Sequence, residues 1–297
     1  MENNVKRLAI ASTVFMFIVM IAGSLVTKTD SGLGCGNDWP LCNGKWVPSY
    51  AFDSIVEYTH RLTTGVAGIV VIAFSLYAIK IYKKNREVLG LALLGISFIL
   101  VESALGASAV ISPQSSPVLA LHFGFSLLAY SGVFMLTMYV MLKDKMKSLV
   151  KASVSKGFRN FVLFICVYAY GVIYLGAYVR HTGSSMGCTD WPLCNGEIIP
   201  PLTGQTGIQF MHRVAAALLL VFIIILFIHV VRHYKESRRD MYICSLLCLI
   251  LVILQIFSGG LVVFAKLQLY ATLIHSAIIT ILFGILTYLG LQTLKKP

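Results

Sequence analysis

Cysteines and histidines recur with the same spacing in the two halves of this 297-residue chain. Each half has two cysteines around a Trp-Pro-Leu-Cys-Asn-Gly motif, a His-Arg pair 18 residues after the second cysteine, and one later histidine. In the first half these residues are Cys35, Cys42, His60, Arg61 and His122. In the second half they are Cys188, Cys194, His212, Arg213 and His275. A duplication of this length predicts two units with the same order of structural elements.

The four histidines have the residue type and placement of axial ligands to haem iron. Two histidines on facing helices of a four-helix bundle can hold a haem edge-on between them. Small residues that would leave room for the macrocycle are Gly65, Gly68, Gly124, Ala215 and Ala216. The simpler alternative is that each histidine satisfies a helix end. Zinc fits less well, because two histidines per unit leave a tetrahedral site short of ligands.

The cysteine pairs enclose six and five residues, so neither has the two-residue spacing of a zinc knuckle or a thioredoxin motif. In loops that face an oxidising compartment, such pairs form disulfides by default. We therefore expect a Cys35–Cys42 bond and a Cys188–Cys194 bond. We interpret the second as a structural staple, whereas the first could also exchange electrons or thiols with a partner.

Acidic residues distinguish the two halves. Glu57 lies three residues before His60, on the same face of a helix, and its counterpart in the second half is Gln209. This placement predicts a chemical role for Glu57 at whatever His60 binds. The alternative is a salt bridge with Arg61, four residues further on. Arg61 and Arg213 themselves have the planar cationic groups that suit haem propionates.

A second unmatched acid is Glu102, which is replaced by Gln255 in the second half. It falls within an apolar stretch, where ionisable groups are costly and often functional. The alternative is a buried, protonated acid that forms hydrogen bonds across helices. Both unmatched acids belong to the N-terminal half, so we expect the reaction there and electron transfer in the C-terminal half.

The elements that must position these residues are apolar. Hydrophobic residues make up 58% of the chain and charged residues 12%, about half the charged fraction of an average soluble domain. The apolar runs are each near the ~20 residues that a membrane-spanning helix needs. We predict an all-α polytopic membrane protein with eight transmembrane helices, at about 8–27, 59–82, 88–111, 117–142, 159–179, 208–231, 240–264 and 269–293.

The net charge of +12 follows membrane topology and not nucleic-acid binding. Eighteen of the 24 Lys and Arg residues lie at the N-terminus, at the ends of and in the loops after helices 2, 4 and 6, or at the C-terminus. The positive-inside rule then makes both termini cytoplasmic and the cysteine loops extracytoplasmic. We expect a multi-pass protein of the plasma membrane, surrounded by the lipid bilayer and without a nucleic-acid partner.

The repeat offset of 152 or 153 residues gives each half four helices. Because four is an even number, both units run in the same direction through the membrane. We therefore expect a pseudo-two-fold axis along the membrane normal to relate two tandem four-helix bundles. The predicted units are residues 1–147 and residues 148–297.

The eight-helix duplication, the cysteine loops, the motif Glu57-Tyr58-Thr59-His60-Arg61 and the three further histidines resemble the bacterial haem A synthase family. The resemblance covers essentially the whole chain. Each motif alone is weak, and the combination at this spacing is specific. The paired loop cysteines resemble the disulfide-bearing type of the family.

The resemblance implies an oxidoreductase acting on a CH group, which oxidises a ring methyl of haem O to a formyl group and so makes haem A for terminal oxidases. It also implies catalytic roles for Glu57 and for the first cysteine pair, Cys35 and Cys42. The implied iron ligands are His60 and His122 for the substrate haem in the N-terminal half, and His212 and His275 for a haem b in the C-terminal half.

Two other functions fit the same residues. A di-haem membrane cytochrome would pass electrons from a quinol to an outer acceptor without modifying haem. A non-catalytic carrier would bind haem for oxidase assembly without turnover. The partners expected of a haem A synthase are haem O, an electron donor such as a quinol, the farnesyltransferase that makes haem O, and the terminal oxidase.

Overall fold

A computed structural model describes residues 2–112 and 115–297, and every long element in those residues is an α-helix. Eight helices in the described chain are long and apolar enough to cross a membrane, which confirms the predicted fold class. They are α1 Glu2–Lys28, α2 Phe52–Ile81, α3 Arg86–Ile111, α4 Ser116–Leu142, α6 Lys156–His181, α7 Gly204–His233, α8 Arg239–Phe264 and α9 Leu269–Gln292, with the short α5 Met146–Leu149 after α4.

Several helices begin earlier than hydropathy indicates. The second helix starts at Phe52, where the apolar run predicted a start at 59, and α7 starts at Gly204, where it predicted 208. The added residues include polar side chains, namely Asp53, Ser54 and Glu57 on α2 and Gln205 and Thr206 on α7, so they do not extend the apolar run. These polar first turns are the parts of α2 and α7 that meet the cysteine loops.

The chain forms two compact units, Met1–Met141 and Leu142–Pro297. In the first unit α2 packs against α1 and α3, and Oγ1 of Thr13 on α1 donates a 2.8 Å hydrogen bond to Thr137 on α4. In the second unit α6, α7, α8 and α9 pack in sequence, and α9 returns to α6. The pseudo-two-fold axis between the units stays a prediction.

A buried ion pair fixes the start of α8 in the second unit. Arg238 is fully buried and donates two hydrogen bonds, of 3.1 and 2.8 Å, to the carboxylate of Asp240. Its guanidinium also donates to the carbonyl oxygens of Gln292, at 2.7 Å, and of Ala152, at 3.3 Å. Because a buried charge is costly without partners, these bonds tie the linker, α8 and the end of α9 into one arrangement.

Each cysteine loop is closed by a disulfide and a tight turn. The predicted Cys35–Cys42 and Cys188–Cys194 bonds are both present. The residues after each second cysteine are Asn-Gly, and in both loops these two residues have positive φ, from 50° to 80°. Asn-Gly is the usual pair for such a turn, because both residues tolerate the left-handed region. The sequence motif therefore encodes the shape of the loop.

Candidate functional site

The predicted histidine pairs come together within each unit. In the first unit His60 on α2 and His122 on α4 lie close enough for their charges to interact. In the second unit His212 on α7 and His275 on α9 are also close enough for their charges to interact. All four lie near the N-terminal ends of their helices, so each pair is at one end of its bundle.

Every one of these imidazoles lies against a glycine of the preceding helix. A Cβ atom placed on that glycine would come within 2.9 to 3.4 Å of the Cε1 atom of the ring. The pairs are Gly23 with His60, Gly106 with His122, Gly176 with His212, and Gly259 with His275. A Cβ atom on Gly176 would force the ring of His212 to move, and one on Gly23 or Gly259 would displace His60 or His275 by a few tenths of an ångström, so these glycines let the imidazoles lie close to the preceding helix.

Sequence reasoning did not single out these four glycines; the small residues that it named were expected to leave room for a macrocycle, which stays a prediction. A Cβ atom on Gly65 would meet nothing within 4 Å, and one on Gly68 would meet only Ile99, so neither lies against a histidine. The repeat itself held the signal, because Gly23 and Gly176 are 153 residues apart, as are Gly106 and Gly259. Recurrence of a glycine at the repeat offset is therefore the sequence signal for a contact with an imidazole.

The donor set fits a haem. The Nδ1 atoms of His60 and His212 are buried without a hydrogen-bond partner among the described residues. A porphyrin supplies four ligands to its iron, so two histidines complete the coordination. Zinc needs three or four protein ligands, and no cluster of three His, Cys, Asp or Glu residues that could hold a metal occurs within 2–112 and 115–297.

Glu57 joins the first cysteine loop to α2. Its side chain is buried, and Oε2 accepts a 2.8 Å hydrogen bond from the backbone N–H of Cys35. Oε1 accepts from Nε of Arg61, at 3.0 Å, and from the second terminal nitrogen of the same guanidinium. The salt bridge with Arg61 is thus present, and the carboxylate is directed to the loop. The catalytic role of Glu57 stays a prediction.

Gln209 makes the equivalent contact in the second unit. Its Oε1 accepts a 2.6 Å hydrogen bond from the backbone N–H of Cys188. A carboxylate is therefore not required to hold a cysteine loop, because an amide oxygen accepts the same bond. The bond to the loop therefore does not explain why the first half has a negatively charged residue, Glu57, where the second half has a neutral one.

Arg61 and Arg213, which the sequence predicts to bind haem propionates, both contact the cysteine loops. The Arg61 guanidinium donates hydrogen bonds of 2.7 and 2.8 Å to the carbonyl oxygens of Asp38 and Leu41. Arg213 donates to the carbonyl oxygen of Leu193 at 2.6 Å and to that of Cys188 at 3.3 Å. Both arginines thus hold the loop beside the histidine that precedes them in sequence, and propionate binding by them stays a prediction.

Two glycines let the loops lie directly on the helices. A Cβ atom on Gly34 would come within 2.3 Å of the backbone of Asp53, and one on Gly187 within 2.4 Å of the backbone of Gln205. The cysteines that follow these glycines are fully buried. The loops are therefore packed against the ends of α2 and α7 beside the histidines.

The second histidine of each pair contacts a polar side chain of the preceding helix. Oε1 of Glu102, on α3, lies 3.2 Å from Nε2 of His122 and accepts a hydrogen bond from the hydroxyl of Ser126. Nε2 of Gln255, on α8, lies 3.0 Å from Nε2 of His275. Of the two unmatched acids, Glu102 is therefore the one whose carboxyl group touches a histidine.

Outside the membrane-spanning helices, Asp190 is held by the turn of the second cysteine loop. Its Oδ2 accepts a 2.8 Å hydrogen bond from the backbone N–H of Gly196, and its Oδ1 accepts one of 2.5 Å from that of Asn195. The bond from Gly196 is the main reason that the pKa of this carboxyl group lies below its ordinary value. The charged form of Asp190 thus stabilises the turn.

Comparison with known proteins places the whole chain in one group. Residues 6–287 match the family described as cytochrome oxidase assembly protein, COX15-CtaA. A protein named heme A synthase from Geobacillus kaustophilus is 42% identical over 99% of this chain and 93% of its own length. Proteins of the same name from Bacillus licheniformis and Alkalihalophilus pseudofirmus are 40% and 39% identical, each over 97% of this chain and over 95% and 97% of their own lengths.

Proposed function

The chain belongs to the haem A synthase family, and we propose that it oxidises a ring methyl group of haem O to the formyl group of haem A. The supporting observation is similarity to heme A synthases along the full chain. The duplicated histidine pairs, each set against glycines, are consistent with binding two haems. We assign the substrate haem to His60 and His122, and a resident haem b to His212 and His275.

The assignment of substrate and cofactor rests on the difference between the halves. The first half has Glu57 and Glu102 where the second has Gln209 and Gln255. A site that carries out chemistry needs groups that accept protons or stabilise charge, whereas a site that passes electrons needs only to hold its haem. A bound haem supplies the redox chemistry, and the protein supplies ligation, orientation and local charge.

Glu57 is the proposed catalytic acid or base of the N-terminal half. Its buried carboxylate lies one helical turn from His60 and is paired with Arg61. A carboxylate in this place would accept the proton lost from the methyl group or stabilise positive charge that develops on the substrate. The backbone N–H of Cys35 donates a hydrogen bond to the same carboxylate. Reduction of the first disulfide would therefore alter the position of the Glu57 side chain.

The remaining assignments follow from topology and from the reaction. Conversion of a methyl group to a formyl group changes the oxidation state of the substrate, so electrons must pass through the site. We propose the resident haem b as the electron relay and a quinol as the electron donor that exchanges electrons with it. We propose the bacterial plasma membrane as the location, with both termini cytoplasmic and the cysteine loops outside. The proposed protein partners are the farnesyltransferase that supplies haem O and the terminal oxidase that receives haem A.

Haem extraction tests the function directly. The chain is expressed in a host that makes haem O and no haem A, and the extracted haems are analysed by mass spectrometry. We expect a haem with a formyl group, which should be absent when His60 or His122 is replaced by alanine. Replacing His212 or His275 should remove the resident haem b signal. The matched control is His229→Ala. His229 lies at the other end of α7 from His212 and stacks on Phe158 of α6, so its loss should leave the haem sites intact.

The same experiment separates the alternatives. A di-haem cytochrome or a haem carrier would bind haem through the same histidines and leave haem O unmodified. Accumulation of haem O with a full complement of bound haem would therefore overturn the proposed function. An unchanged amount of extracted haem b in the His212→Ala or His275→Ala variant would overturn the assignment of haem b to the C-terminal half.

A further inference from the structure

Trp191 attaches the second cysteine loop to α8. Its ring centroid lies 6.0 Å from that of Phe257 and 6.5 Å from that of Phe264. A Cβ atom on Gly260, between these two residues, would come within 3.0 Å of the indole, so the indole lies directly against the backbone of α8. Because residues three and four apart are neighbours on a helix surface, Phe257, Gly260 and Phe264 form one seat for the tryptophan, which we call the α8 seat.

The second cysteine loop is also held by α7, so it joins two helices of its bundle. Arg213 of α7 donates a 2.6 Å hydrogen bond to the carbonyl oxygen of Leu193, two residues after Trp191. On α8, the residue that precedes the glycine of the seat is Gly259, which lies against the ring of His275. The attachment of the loop is therefore within one residue, along α8, of the contact with a predicted haem ligand.

The sequence of the first half lacks the residues of the α8 seat. At the repeat offset of 153 residues, the three positions of the seat are occupied in α3 by Ala104, Ala107 and Ile111. Two of them stand where α8 has a phenylalanine, so they offer no ring, and Ala107 carries a Cβ atom where Gly260 has none. The tryptophan of the first loop, Trp39, is 53% exposed. It therefore cannot join its loop to α3 in the way that Trp191 joins the second loop to α8.

The two halves differ at this attachment and agree at the neighbouring histidine contact. Gly106 corresponds to Gly259, and each lies against the later histidine of its half. The next residue is Ala107 in α3 and Gly260 in α8. The glycine that accommodates an imidazole is thus present in both halves, and the glycine that accommodates an indole is present only in the second. The difference therefore concerns the attachment of the loop.

Loop attachment matters because the two proposed haems have different tasks. The substrate haem must enter and its product must leave in every reaction cycle, whereas a resident haem must stay. Loops that cover a site commonly set the rates of entry and release. Haem O also carries the long apolar chain that the farnesyltransferase adds, and such a chain favours the bilayer. A substrate haem is therefore expected to enter from the side of its bundle, between helices, and not through water.

We propose that the seating of Trp191 on α8 retains the haem of the C-terminal site, whereas the first loop, which lacks such a seat, lets a haem with a long isoprenoid chain enter and leave the N-terminal site on the side of α3. This inference rests on the proposed function, because it takes the two histidine pairs as haem sites. The second loop connects α7 and α8 at the end of the bundle that carries the histidines. In the first half, Trp39 leaves the corresponding connection to α3 unmade.

Haem exchange measures retention. The full chain is reconstituted in vesicles of phosphatidylethanolamine and phosphatidylglycerol with isotope-labelled haem bound, and unlabelled haem is added to the membrane. Mass analysis of the haem extracted from the repurified chain gives the exchange rate. In the His60→Ala/His122→Ala background, Phe257→Ala/Gly260→Ala should speed the exchange of haem b about tenfold, because these changes weaken the aromatic contacts of the indole.

Two further variants separate this effect from misfolding. Trp191→Ala leaves α8 unchanged and should also speed the exchange of haem b. Ile250→Ala is the matched control, because Ile250 is 46% exposed and lies on the same face of α8, two helical turns from Phe257. Its exchange rate should equal that of the parent. If neither Trp191→Ala nor Phe257→Ala/Gly260→Ala changes the exchange rate, the proposal is wrong.

The reciprocal substitution builds the seat in the first half. In the His212→Ala/His275→Ala background loaded with haem O, Ala104→Phe/Ala107→Gly should slow haem exchange about tenfold. Adding Trp39→Ala should cancel this slowing, because the seat acts only through the tryptophan. Slowing that persists without Trp39, or no slowing at all, would contradict the proposal.

Tryptophan fluorescence supplies a readout that does not need haem. The chain has three tryptophans, so Trp46→Phe together with Trp39→Phe or Trp191→Phe leaves one. In the haem-free full chain, aqueous acrylamide should quench Trp39 more strongly than Trp191, and Phe257→Ala/Gly260→Ala should remove the difference. Equal quenching of the two with α3 and α8 unmodified would overturn the inference. Failure of the unmodified chain to make haem A would instead overturn the proposed function, whatever the exchange rates are.

Discussion

Oε2 of Glu57 accepts a 2.8 Å hydrogen bond from the backbone N–H of Cys35, so the acid that precedes His60 is bonded to the first disulfide loop. The sequence indicated Glu57 as a neighbour of the histidine and the disulfide as a separate feature. The structure joins them through one buried carboxylate, which Arg61 also binds. Substitution of Glu57 is therefore expected to affect the first disulfide, and reduction of that disulfide is expected to affect Glu57.

Glu57→Gln separates the charge of this residue from its anchoring role. Gln209 shows that an amide oxygen holds a cysteine loop, so we expect the variant to fold and to keep its haem. Loss of the charge should nevertheless reduce haem A production by about 100-fold, the lower end of the usual contribution of an acid or base. The measurement is haem content together with mass analysis of extracted haems.

The control for this prediction is Glu57→Ala, which removes the anchor as well. The backbone N–H of Cys35 then loses its partner, so the first disulfide should be reduced faster than in Glu57→Gln when a membrane-impermeant reductant is added. Thiol labelling measures the difference. Normal accumulation of haem A in Glu57→Gln would show that the charge has no catalytic role.

Gly176→Ala should weaken the C-terminal haem site. The new Cβ atom would lie 2.9 Å from Cε1 of His212, so the ring must move. We expect an affinity for haem b that is about tenfold lower, as for other changes that misplace a metal ligand. Gly171→Ala, on the same helix, is the matched control because its Cβ atom would meet nothing within 4 Å. Equal haem b content in both variants would contradict the role assigned to Gly176.

Arg238→Ala should destabilise the second unit. It leaves the carboxylate of Asp240 buried without its cation and removes the hydrogen bonds to Gln292 and Ala152. Breaking a buried ion pair from one side costs about 3 kcal/mol or more. Thermal unfolding of the purified protein should show a clearly lower Tm, while the exposed neighbour Arg239 should be replaceable by alanine with little change. Similar Tm values for the two variants would refute this account.

The lowered pKa of Asp190 predicts that the stability of the turn in the second cysteine loop depends on pH only under acidic conditions. Because its folded pKa lies below the ordinary value of 3.8, the carboxylate stabilises the turn at higher pH, and this contribution is lost as the pH falls through the folded pKa. The protection of the Gly196 amide, measured as its exchange rate relative to that of an unstructured amide at the same pH, should therefore stay constant near neutrality and fall only below pH 3.8. Asp190→Asn should remove this pH dependence, and a profile unchanged by the substitution would argue against it.

Much of the fold was accessible from the sequence because the relevant signals are local. A membrane-spanning helix needs a run of apolar residues, and each of the eight runs formed a helix. The Asn-Gly turn and the nearby cysteines define the loops in a few consecutive residues. The helix starts were less accessible, since the first turns of α2 and α7 are polar and are held by contacts with the cysteine loops.

The sequence by itself determined the eight helices, the two disulfides and the pairing of His60 with His122 and of His212 with His275. It also showed that Glu57 and Glu102 lack acidic counterparts. Only the tertiary structure decided what those acids touch, namely the loop for Glu57 and His122 for Glu102. Helical periodicity places residues on one face of one helix, but contact between helices depends on their rotation and depth, which the packing of the whole unit decides.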